Sequence, residues 1–217
     1  MHTLGFELLQ QVRADAELGS LPFMFSLNSP MFFNALGQEK TQHALVWRRL
    51  YRATPDVYLH ADEEHSDYML LLGTNPVISN RGRNATEVFK DLATNPKRKL
   101  VVVDPRVSET ARRADRHMRV KPGCDVYLLM GLTAVIVREH LQDKAFVDRY
   151  VKDYASVADV FRDIDPAVMA ERAAVSADDL VNTAREFAQS PSACIYFDLG
   201  VEQIPHSTIV SYQIGRA

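Results

Sequence analysis

Short, evenly apolar runs closed by turn residues dominate the middle of the chain. Tyr68-Met-Leu-Leu-Leu72 and Lys99-Leu-Val-Val-Val103 are too short and too uniformly apolar for an amphipathic surface helix, so they predict strands buried in a parallel sheet. Further strands are predicted over Leu21 to Ser26, Met118 to Val120 and Ala193 to Phe197. Between them the pattern predicts helices over Leu4 to Leu18, Glu39 to Tyr51, Thr86 to Ala93, Glu109 to Asp115, Asp125 to Glu139, Lys144 to Lys152 and Ala177 to Gln189. Ser176 with Asp179 makes a capping-box pattern, and Asp143 is placed to cap the helix carrying Phe146 and Tyr150. Alternating strands and helices imply an α/β fold, an open and mostly parallel sheet with helices on both faces. The helices from Asp125 to Gln189 follow one another without a strand and read as a flank on that core.

Three polar motifs punctuate this pattern: Gly73-Thr74-Asn75-Pro76, Asp104-Pro105-Arg106 and Pro122-Gly123-Cys124-Asp125. The first two fall just after strands, where open α/β sheets bind ligands in the crevice beyond the strand carboxyl ends. Gly73 permits close backbone approach to a ligand, and Asn75-Pro76 fixes a turn whose amides can face a phosphate. Asp104 suits ribose hydroxyls or the N–H edge of a base, and the planar Arg106 fork suits a phosphate oxygen. Asp125 opens a helix and is read equally as a base contact and as an N-cap. Taken singly these motifs are ordinary turns; their joint order at strand ends and a helix start is what points to a nucleotide site.

The run Tyr68 to Asn80, the run Leu100 to Ala111 with Ala114-Asp115, and Val120 to Asp125 together resemble the molybdopterin oxidoreductases of the dimethyl sulfoxide reductase and formate dehydrogenase superfamily. The resemblance implies a Rossmann-like domain that cradles one guanine dinucleotide arm of a bis(molybdopterin guanine dinucleotide) cofactor carrying molybdenum or tungsten. Gly73, Thr74, Asn75 and Pro76 would then lie near the diphosphate, Asp104, Pro105 and Arg106 near the ribose and phosphates, and Gly123, Cys124 and Asp125 at the guanine edge. Cys124 stands where the family usually has Thr or Ser. Weaker similarity extends through Gly131 to Ile136, His140 to Tyr150, and Leu199 to Gln203 with His206, while Leu21 to Leu27 with Asn28-Ser29-Pro30 looks like a degraded strand and turn. The remaining domains of a parent catalytic subunit and an electron-transfer subunit are the implied protein partners. The alternative is a structural domain of the same fold that has lost its cofactor, as in the large iron-sulfur subunit of respiratory complex I.

Composition narrows the picture. The 217 residues, 47% of them hydrophobic, can fill the core of a single incomplete α/β domain, with its motifs over 68–125 and its flank over 125–189, and the chain reads as a fragment. Cys124 and Cys194 lie far apart, so no iron-sulfur cluster is expected here; both read as thiols of a reduced, cytoplasmic compartment. Phe25 to Trp47 contains no cysteine to ligate a metal; Ser26, Ser29 and Asn34 stand there by position only. A net charge of -3 argues against nucleic acid as a partner, with Lys97-Arg98-Lys99 and Arg112-Arg113 read as solvated element ends. No stretch reaches the ~20 apolar residues of a membrane span. Residues Ser207 to Ala217 read as a helix interrupted in mid-course.

Overall fold

The structure is a computed structural model and describes residues 22–31, 45–46, 48–50, 61–79 and 85–214. The chain divides into two compact units, residues 1–38 and 39–217. In the first, residues 22–26 are helical, where the apolar run predicted a strand. Pro22 suits a first helical turn, and the Leu27 N–H closes back on the Phe23 carbonyl at 3.2 Å. The predicted helix over Leu4 to Leu18 lies outside the described residues. Of the helix predicted over Glu39 to Tyr51, residues 45–46 and 48–50 are described and helical.

In the second unit four parallel strands, β1 (Tyr68–Leu72), β2 (Lys99–Val103), β3 (Arg116–Met118) and β4 (Ala193–Phe197), form a sheet in the order β3-β2-β1-β4. The chain builds outward from β1 through β2 to β3, then returns to lay β4 on the other side of β1, pairing Tyr68 with Ala193 and Leu72 with Phe197. That reversal makes the carboxyl ends of β1 and β4 the topological switch point of the sheet. The helices are α1 (Pro76–Ser79), α2 (Ala85–Thr94), α3 (Asp125–Arg138), α4 (Lys144–Tyr150), α5 (Tyr154–Arg162), α6 (Pro166–Ala173), α7 (Ala177–Gln189), α8 (Leu199–Glu202) and α9 (Ser207–Ile214).

Side chains alternate across the sheet. Leu70, Leu72, Val101 and Val103 pack with Leu128, Leu132 and Val135 of α3 and Leu180 of α7, whereas Met69, Leu71, Leu100 and Val102 pack with Phe89 and Leu92 of α2. Both faces of β1 are therefore covered, which is why its sequence is apolar without alternation. At the amino end of the sheet one carboxylate of α7, Glu186, accepts from Arg116 at 2.8 and 3.1 Å, from the Tyr68 hydroxyl at 3.2 Å and from Lys99 at 2.7 Å. The first residues of β1, β2 and β3 are tied to α7 there, which leaves the opposite, carboxyl end for other chemistry.

Several elements differ from the sequence prediction. β3 begins at Arg116 and ends at Met118 because the Val120 N–H turns back onto the Met118 carbonyl at 3.0 Å. The helix predicted over Glu109 to Asp115 shrinks to a 3-10 turn, Ala111–Arg113; the Ser108 hydroxyl takes the Ala111 N–H at 3.2 Å, a local bond that competes with helix. Helices α5 and α6 were not predicted, although Asp165-Pro166 carries an N-cap and a first-turn proline: the Asp165 carboxylate accepts the Ala167 N–H at 2.9 Å. Asp143 and Ser176 cap α4 and α7 as predicted, accepting the Phe146 N–H at 2.9 Å and the Asp179 N–H at 3.3 Å. Ala174 ends α6 in the left-handed region, at φ 57°. Glycine has no Cβ penalty there, so Ala174→Gly is expected to raise stability by about 0.5–1 kcal/mol, read as a higher urea midpoint at unchanged slope.

Candidate functional site

The loops that follow β1 and β4 meet at the switch point through two glycines. Gly73 has φ +58°, and its carbonyl accepts the Gly200 N–H at 2.9 Å while its own N–H donates to Val103 at 3.1 Å. A Cβ at Gly73 would lie 2.9 Å from the Gly200 backbone, and one at Gly200 would run into the Gly73 backbone, 2.6 Å from its Cα. The close approach expected of Gly73 is thus made to Gly200. Leu199 and Gly200 open α8.

Asn75 is likewise engaged within the chain. Its amide donates to Glu109 Oε2 at 2.7 Å, and its Oδ1 accepts from the Thr110 N–H at 3.2 Å and hydroxyl at 2.7 Å. The Asn75 amide, with further help from the Arg106 and Arg112 charges, holds the Glu109 carboxyl below its ordinary range. The Thr110 hydroxyl also accepts the Val77 N–H at 3.3 Å, so the loop after β1 is stitched to the segment after β2. Thr74 is buried, and Pro76 is the first residue of α1 and buried too.

Asp104, buried at the end of β2, accepts the Arg106 N–H on Oδ1 at 2.8 Å, which leaves Pro105 and the Arg106 guanidinium exposed on the turn. Its backbone N–H donates to Met118 at 3.2 Å, and its carbonyl lies 2.9 Å from His117 Nε2. Asp125 is 5% exposed and is the first residue of α3; the N-cap position belongs to Cys124, whose side chain makes no capping bond. The capping alternative read for Asp125 is corrected accordingly: its carboxyl is buried, and burial pushes its pKa up from 3.8 to about 6, with the negative charge of Asp104 adding to the rise and a hydrogen bond to its own backbone opposing it. Gly123, at φ +80°, lets the chain turn into α3, and a Cβ there would stand 3.7 Å from Pro205 in the linker between α8 and α9.

All three sequence motifs therefore converge at one end of the sheet. Two buried carboxylates close enough to repel one another, with an exposed guanidinium on the adjoining turn, form a site suited to a ligand that offers N–H or O–H donors and carries a phosphate. The sequence reading missed Glu109, Thr110, His117 and Gly200. A glycine three residues past the end of a strand was the available signal for Gly200; nothing local marks the other three, whose roles depend on partners 13 to 35 residues away. Among the described residues no group of three or more His, Cys, Asp or Glu side chains could hold a metal ion, and no helix is long and apolar enough to cross a membrane. Cys124 and Cys194 are free thiols, the latter pushed up in pKa by burial.

A family model described as molybdopterin oxidoreductase matches residues 23–211. The chain is 30% identical over 149 residues to a nitrate reductase of Synechocystis sp., covering 66% of this chain and 20% of that protein. It is 33% identical over 143 residues to formate dehydrogenase H of Escherichia coli, covering 64% and 19%. The solved structure of acetylene hydratase from Pelobacter acetylenicus superposes with a TM-score of 0.74 at 27% identity, over 90% of this chain and 26% of that one. The chain spans about a fifth of the length of the curated relatives it matches.

Proposed function

The chain belongs to the molybdopterin oxidoreductase family, and from that premise we propose that its carboxyl-end site cradles one guanine dinucleotide arm of a bis(molybdopterin guanine dinucleotide) cofactor holding molybdenum or tungsten. The observation that carries this reading is the buried Asp125 carboxyl, raised in pKa beside Asp104. A guanine edge presents N1–H and N2–H donors, which satisfy an ionised Asp125 and offset the cost of burying it; adenine offers no such pair. Asp104 accepts from the ribose hydroxyls through Oδ2, since Oδ1 is taken by the Arg106 amide. Arg106 reaches phosphate oxygens, and Gly73, Thr74, Asn75 and Pro76 form the wall beside the diphosphate, with Gly123 and Cys124 turning the chain toward the base. The bound cofactor supplies the two-electron redox chemistry; this chain binds and orients one arm, while the remaining domains of a parent catalytic subunit complete the cage and an electron-transfer subunit exchanges the electrons.

A structural domain without cofactor is the second reading, and one observation favours it: Gly73 and Asn75 both have full internal duties that would preserve them without a ligand. It gives no reason to bury Asp125 next to Asp104. Pterin fluorescence after acid oxidation, with elemental analysis for molybdenum and tungsten, on this chain and on any longer reading frame containing it, separates the two. Pterin in neither product would reject the cofactor reading. In titration calorimetry Arg106→Ala should weaken guanosine diphosphate about tenfold while leaving guanosine unchanged, as loss of one charge-assisted phosphate contact requires.

A further inference from the structure

His117 sits in the middle of β3 between two residues that face α3 and α7: Arg116 bonds Glu186, and Met118 belongs to the core beneath α3. Strand alternation sends the His117 ring to the other face. There it is half-buried, with Nε2 2.9 Å from the Asp104 carbonyl oxygen. A carbonyl only accepts, so Nε2 carries the proton and donates. The next residue, Met118, accepts the Asp104 N–H through its own carbonyl at 3.2 Å. Consecutive residues of β3 thus grip Asp104 by its N–H and its C=O. The Asp104 carboxylate is held in turn through Oδ1 by the Arg106 amide at 2.8 Å. With both peptide planes and one carboxylate oxygen fixed, Oδ2 has a single direction left.

We infer that His117 is a positioning residue for the nucleotide site: by holding the Asp104 carbonyl it aims Asp104 Oδ2 at the ribose hydroxyls of the bound arm. This rests on the proposed guanine dinucleotide reading and adds to it a residue that does not itself touch the ligand. Met118 acts through its backbone and any side chain would serve, whereas the carbonyl half of the grip depends on a side-chain donor of imidazole length. Glutamine is long enough to donate to the same oxygen. Asparagine and alanine are not.

The test is titration calorimetry on the full chain with guanosine diphosphate and with its 2′,3′-dideoxy analogue, for wild type and for His117→Gln, His117→Asn and His117→Ala. Wild type should prefer the ribonucleotide by on the order of tenfold, the value of one or two hydrogen bonds to a carboxylate. His117→Ala and His117→Asn should cut that preference to within about twofold while binding the dideoxy analogue as wild type does, and His117→Gln should restore most of it. A general weakening of the fold would lower both affinities together and leave their ratio intact, so it cannot imitate this result. His117→Asn keeps a polar group at a half-buried position and stands in should His117→Ala fail to fold. A ribose preference that survives both short variants overturns the role of His117 and leaves the guanine reading standing. Wild type binding neither nucleotide overturns the guanine reading and this inference with it.

Discussion

Gly200→Ala is expected to lower stability by about 3 kcal/mol, the upper end of ordinary overpacking, and the melting temperature by about 6–12 °C for a chain of this size. The cause is backbone against backbone: the added methyl would stand 2.6 Å from the Gly73 Cα and 2.7 Å from its carbonyl carbon. No side-chain rotamer can relieve that contact, so either the Gly200 N–H to Gly73 bond breaks or the loops after β1 and β4 separate. Separation would also move Asn75, two residues along, and with it the Glu109 and Thr110 contacts. Thermal unfolding followed by far-ultraviolet circular dichroism provides the measurement. A shift below about 2 °C would show that the two loops tolerate parting and that the switch point is not locked by this contact.

The largest functional effect is expected at Asp125. Asp125→Asn should weaken guanosine diphosphate on the order of a hundredfold, the value of hydrogen bonds to a buried charged group, and leave adenosine diphosphate nearly unaffected. Its pH dependence has a definite sign. The folded pKa, about 6, lies above the ordinary 3.8, so the stabilisation linked to the protonated carboxyl is complete below about pH 4 and is lost as pH rises through about 6. The ligand-free chain should therefore lose up to about 3 kcal/mol between pH 4 and pH 7.5 through this group, a loss absent from Asp125→Asn. Guanine needs the ionised form, so affinity should fall as pH drops below about 6, opposite in sense to the stability of the free chain. Denaturant unfolding of both proteins across that range, paired with nucleotide titrations, tests both halves. Equal losses for guanine and adenine nucleotides would remove Asp125 from base recognition.

These two residues also mark what could be read from the chain and what could not. β1, β2 and β4 have the predicted bounds because a strand covered on both faces needs an unbroken apolar run, and such a run is a local property. The caps at Asp143 and Ser176 were legible for the same reason, since donor and acceptor lie three residues apart. The run at residues 22–26 misled because apolar character alone does not distinguish a strand from a short helix.

By itself the sequence determined the α/β class, the three turn motifs and their order, and through them the family. The tertiary structure alone decided what those motifs do. Gly73 is required by Gly200, 127 positions later; Asn75 ties two loops together; Asp125 is raised in pKa because the fold buries it and sets Asp104 nearby. Apolar periodicity and capping act over one or two turns of chain and leave their mark in neighbouring letters. Desolvation, charge repulsion and backbone clearance depend on distance in space, and the crossing of β4 to the far side of β1 creates those distances.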